Sequence, residues 1–140
     1  NPVYYVQYAN IRINSLYKKA INLGINLNNN IDNIDFSLLS KPSELSLIKI
    51  ISKWPRQVEA AAIANEPHRI TFYLNDLASA FHYSWSLGNT KPELRYIVED
   101  ALDLSIARLS LAKIVKIILF SGLSIIGVKP VEDIPLDSTV

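Results

Sequence analysis

Cysteine and methionine are both absent from this 140-residue chain. Without cysteine there is neither a disulfide framework nor a thiolate metal site, and the absence fits a reducing compartment. Two histidines leave too few ligands for a histidine-based metal centre. Glycine is scarce, at 4, beside 7 prolines, so the frequent turn signals of a sandwich or barrel are missing. A charge surplus is missing too. Fourteen Lys and Arg face 13 Asp and Glu, for a net charge of +1, short of the basic balance of a free-standing nucleic-acid binder. Any such role must rest on a local patch, or on a larger protein that supplies the rest of the charge. No signal peptide is visible. The apolar run at 117–128 is too short to cross a bilayer and is interrupted by Ser121, Gly122, Ser124 and Gly127. The missing methionine at position 1, with a chain that opens mid-pattern at Asn1, reads as a piece of a longer polypeptide.

What is present is a length suited to one domain and 49% hydrophobic residues, ample for a core. Runs rich in Leu, Ile and Ala predict an all-α domain, a helical bundle of about five to six helices. The first helix is expected to run to about Leu23, with Val6, Ala9, Ile13, Leu16 and Ala20 on its core face and Gly24 as the left-handed residue that ends it. Residues 26–40, rich in Asn and Asp, read as a solvated surface loop. Pro42 opens a short helix with Leu45, Leu47, Ile48 and Ile51 on its apolar face, and Trp54-Pro55 separates it from the next, which carries Val58, Ala61, Ala62 and Ile63. Pro67 opens another, with Ile70, Leu74, Leu77, Ala78, Phe81 and Trp85 on one side. Thr90 and Glu93 fit a capping box for a long helix over 92–120. That helix is expected to turn Asp103, Arg108, Lys113 and Lys116 to solvent or polar partners, and to close at Gly122. An apolar return segment follows, then a tail at 129–140.

The functional signal lies in the opening helix. At 100° per residue, Tyr5, Tyr8 and Arg12 fall within ~60° of one another, on a stripe beside the apolar one. Two readings are open from spacing alone. The tyrosines are boundary residues packed on a neighbouring helix, with Arg12 in a surface ion pair. Alternatively, the rings offer stacking faces for unpaired nucleotides, next to a cation for a phosphate or base edge. Trp85 stands on an apolar face, where core packing and partial exposure are both open. His82, at the edge of that face, has no acid or nucleophile partner nearby and reads as a hydrogen-bonding residue. A phosphate-cradling glycine loop, metal-ligand spacing and nucleophile–base arrangements are all missing. The chain should catalyse nothing by itself.

Four stretches, taken in order, resemble one known domain. They are Asn1-Pro2-Val3-Tyr4-Tyr5-Val6-Gln7-Tyr8-Ala9 followed by Arg12; Ala60-Ala61 before Pro67-His68-Arg69; Tyr73-Leu74 with Leu77-Ala78 and Phe81-His82; and Ala107-Arg108-Leu109 followed by Gly122-Leu123 and Gly127-Val128. The pattern resembles the C-terminal, DALR-type anticodon-binding domain of arginyl-tRNA synthetases, over nearly the whole chain. The resemblance implies a helical domain that grips the anticodon stem and loop of an arginine-accepting tRNA, through Tyr5, Tyr8, Arg12 and Trp85. It also implies a parent ligase, a cytoplasmic monomer without membrane contact, whose separate catalytic domain uses ATP to activate arginine. Neither a HIGH-type nor a KMSKS-type signature occurs here, so no cofactor site is expected in this part. The sequence departs from the family's pattern at Asn10 and Ile11, where His and a small residue are usual, at Trp85, where Tyr is usual, and in continuing through 134–140. The runner-up reading is a helical protein-interaction domain that does not read tRNA. The resemblance tips the first helix towards the stacking reading, and binding by the 140-residue chain alone is expected to be weak and salt-sensitive.

Overall fold

The computed structural model describes residues 3–27 and 31–132. Its described residues are all-helical, with five α-helices joined by short loops and 3₁₀ turns: α1 (Tyr4–Asn22), α2 (Pro42–Ser52), α3 (Trp54–Ala64), α4 (His68–Ser86) and α5 (Leu102–Ile125). None of these helices is long and apolar enough to cross a membrane.

The three- and four-residue spacing of apolar side chains sets α1 as expected. Val6, Ala9, Ile13 and Ala20 are buried. The helix then stops where glycine permits it. Gly24 sits at φ +76°, and the Gly24 and Ile25 amides bond back to the carbonyls of Ile21 and Ala20 at 3.0 and 2.9 Å, satisfying two orphan acceptors. The following 26–40 segment is more than a connector where it is described. Ile34 and Phe36 pack on the core and Leu39 is buried within it. Asn28 to Asn30 lie outside the described residues.

Helix α4 occupies the centre and touches α1, α2, α3 and α5. Ile70, Leu74, Leu77, Ala78 and Phe81 are fully buried along it, on the face that the spacing predicts. Trp85 is only half-buried, so it is not a core residue.

Three expectations need correction. Helix α2 turns a different face inward: Leu47 is buried, whereas Leu45 and Ile48 are exposed, and the second buried residue is Glu44. Its partner is Arg108, which finds polar partners inside the bundle. The Arg108 Nε donates to Glu44 Oε2 at 2.9 Å, and Nη1 donates to the carbonyls of Glu93 and Arg95 at 2.9 and 2.8 Å. The pair joins α2, α5 and the turn between α4 and α5 in one buried network.

Helix α5 accordingly starts ten residues later than expected, since Pro92–Leu94 forms only a 3₁₀ turn. The chain is extended at Arg95 (ψ 152°), which leaves the carbonyls of that segment facing Arg108 rather than a helical amide. Nor does Gly122 end α5. It is buried within the helix, where an added Cβ would lie 2.5 Å from a methyl of Leu74, so its lack of a side chain allows α5 to approach α4. The terminator is Gly127 at φ +76°, with Gly127 and Val128 bonding back to Ser124 and Leu123 at 3.1 and 2.8 Å.

Candidate nucleic-acid interface

Helix α1 buries one stripe against α4 and α5, and the rotation per residue places Tyr5, Tyr8 and Arg12 together on the flank that meets α4. The structure brings all four sequence-predicted residues to one place. Tyr5 and Tyr8 are 57% and 37% exposed, so both rings offer area to a ligand. Arg12 is half-buried, with its guanidinium 3.7 Å from the centroid of the Trp85 ring and 4.8 Å from that of Tyr8. A planar cation between two π faces is held by their quadrupoles. The indole therefore serves as a floor under Arg12.

His82, on the same side of α4 one turn before Trp85, fastens the cluster. Its Nδ1 lies 2.9 Å from Arg12 Nη1 and its Nε2 lies 3.0 Å from the Tyr5 carbonyl. Arginine can only donate, so Nδ1 accepts and the proton sits on Nε2, where it donates to the carbonyl. That assignment requires a neutral ring. Burial lowers the His82 pKa below the usual 6.5; the bond to the Tyr5 carbonyl opposes the shift and the nearby Arg12 charge adds to it. The imidazole also packs against both phenols, with centroids 4.9 Å from Tyr5 and 5.6 Å from Tyr8. Among the described residues, the other donors of Arg12 make no further hydrogen bond.

Sequence reasoning passed over two features here. Tyr4 is 65% exposed and stacks on Tyr8 at 6.3 Å between centroids, with 24° between ring planes. Its signal was the four-residue spacing to Tyr8, which brings helical side chains into contact. The other feature lies across α1. Gln7, Asn10 and Asn14 hold residues 129–132 along the helix: Gln7 Nε2 donates to Lys129 O at 2.9 Å, Val131 N to Gln7 Oε1 at 2.7 Å, Asn10 Nδ2 to Val131 O at 2.7 Å and Asn14 Nδ2 to Glu132 O at 3.2 Å. The start of the expected tail is thus docked, while residues 133–140 lie outside the described part. Asn10 is fully buried, and its Oδ1 has no hydrogen-bond partner among the described residues.

The arrangement offers faces and donors. Three phenol rings present π surfaces, Arg12 presents charge on a fixed plane, and His82 holds the two helices in register. Such a set suits flat, anionic, unstacked ligands, because ring stacking and charge-assisted contacts require no sequence of chemical steps.

A model of the DALR anticodon binding domain matches residues 6–134. The chain is 50% identical over 131 residues to the arginine–tRNA ligase of Beijerinckia indica subsp. indica, covering 91% of this chain and 22% of that protein. Over 134 residues it is 46% identical to the arginine–tRNA ligase of a Cereibacter sphaeroides strain, covering 95% of this chain and 23% of that protein. It has the same identity, over the same length, to that of Ehrlichia chaffeensis, covering 95% of this chain and 22% of that protein. The chain therefore spans less than a quarter of the length of these relatives.

Proposed function

The chain belongs to the DALR anticodon-binding domain family, and from that premise we propose that it holds the anticodon loop of an arginine-accepting tRNA for a larger arginine–tRNA ligase. Loop bases splayed from their stack rest on the rings of Tyr5 and Tyr8, with Tyr4 extending the surface. Arg12, held over Trp85, meets a phosphate or base edge with its free donors. The observation that carries this reading is the joint exposure of Tyr5 and Tyr8 beside a guanidinium already fixed in place. A fixed platform loses little freedom on binding, so more of each stack appears as affinity. The ATP-dependent activation of arginine belongs to a catalytic domain in the remaining length of the parent, which acts as a monomer in the cytoplasm.

The test is a Tyr5→Ala, Tyr8→Ala double variant. Both rings are exposed, so helicity and thermal stability should be nearly unchanged. Each base–aromatic stack contributes roughly 1–3 kcal/mol, so affinity for the arginine-accepting tRNA should fall by at least about 30-fold. A folded double variant that binds this tRNA as tightly as the wild type would overturn the reading and leave the helical interaction domain in its place.

A further inference from the structure

Below the tyrosine cluster, the same side of the molecule continues into a second site. An open groove of ≈ 270 Å³ lies between the end of α1 and the turn after α4, bordered by Leu16, Lys19, Trp85, Asn89 and Arg95. Lys19 follows Arg12 by two helical turns. At 100° per residue, its direction from the α1 axis falls between those of Tyr8 and Arg12. The stripe that begins with three phenols therefore ends in a cation about 16 Å further along the axis than Tyr8.

Arg95 faces it across the groove, and its position is built into the fold. Its Nε donates to the Gly88 carbonyl at 3.0 Å, and its Cγ lies where a Cβ on residue 88 would come within 2.8 Å. Gly88 thus leaves the space along which the Arg95 chain runs. Lys19 and Arg95 are both exposed, and neither pairs with a carboxylate among the described residues. Two cations flanking one cleft, neither paired with a carboxylate among the described residues, raise the local positive potential in a molecule of nearly zero net charge. Trp85 connects the two places, since Arg12 lies over its ring and the same residue borders the groove.

We propose that this groove is a backbone-phosphate subsite, in which Lys19 and Arg95 clamp the RNA strand that leaves the bases stacked on Tyr5 and Tyr8. The inference rests on the tRNA-binding reading above and deepens it. The tyrosines hold bases, and the groove fixes the direction in which the strand departs. Phosphate contacts of this kind position a nucleic acid without reading its sequence. Asn89, exposed at the groove's rim, supplies an amide donor to the same strand.

A Lys19→Gln, Arg95→Gln double variant of the 140-residue chain tests it, with binding to an arginine-accepting anticodon stem-loop RNA measured across a salt series. Each phosphate contact removed lowers the slope of log affinity against log salt by roughly 0.7–0.9, so the variant's slope should be shallower by about 1.5. The affinity lost at low salt should be the same for stem-loops with altered loop bases. Tyr5→Ala, Tyr8→Ala should weaken binding and leave the slope unchanged. Circular dichroism and a melting curve verify the fold, and Arg95→Lys, which keeps the charge, should restore most of the slope. If the tyrosine variant loses affinity while the Lys19/Arg95 variant keeps both affinity and slope, the subsite is overturned and the tyrosine platform stands. If the wild type binds no such RNA, the subsite falls together with the reading it rests on.

Discussion

His82 accepts a hydrogen bond from Arg12 only while its ring is neutral, and the fold enforces that state through burial and through the adjacent guanidinium. A histidine whose folded pKa lies below its unfolded value binds its proton more readily in the unfolded chain. Its contribution to stability is therefore complete above about pH 6.5 and is lost as pH falls through the lower, folded value. The wild type should lose urea resistance as pH falls below about 6.5, and His82→Gln should be flatter there. Parallel pH profiles would show that His82 is not the responsible group. At this scale the shared flank of Tyr5, Tyr8 and Arg12 was legible because the three lie on one helix and follow its periodicity, whereas Trp85 was singled out only through the family resemblance. The bonds of His82 were not, since they join residues 70 and 77 positions apart, and nothing in a local pattern encodes such a partner. Tyr4 was legible in principle, through its spacing to Tyr8.

Among elements, the register of α1 and α4 and the stop at Gly24 followed from local chemistry. The start of α5 did not. Thr90, Pro92 and Glu93 satisfy every local rule for a helix opening there, yet the carbonyls of Glu93 and Arg95 are taken by Arg108, and the helix waits until Leu102. The Glu44–Arg108 pair decides this, and it joins positions 64 apart. A sequence pattern shows two charged residues and cannot pair them. Breaking a buried pair on one side leaves an uncompensated charge, at a cost of about 3–5 kcal/mol. Glu44→Ala should lower the unfolding free energy read from a urea titration by that amount, and an apolar double replacement such as Glu44→Leu, Arg108→Met should regain much of it. A loss under about 1 kcal/mol for Glu44→Ala would mean that the pair behaves as a surface ion pair and does not set the α4–α5 turn.

For the whole molecule, a helical domain with 14 basic and 13 acidic residues has little general attraction for RNA, so its selectivity must come from where a few groups stand. Three phenols, a fixed guanidinium and two cations that pair with no carboxylate among the described residues lie along one side, while the opposite flank of α1 holds the start of the chain's own tail. What distinguishes this account from plain electrostatic attraction is its need for unpaired bases. The most direct measurement compares the affinity of the wild-type chain for an arginine-accepting anticodon stem-loop RNA with its affinity for the same strand annealed to its full complement, at one salt concentration. Two lost stacks predict that pairing the loop weakens binding by about 30-fold or more. Equal affinity for the open loop and the closed duplex would contradict it.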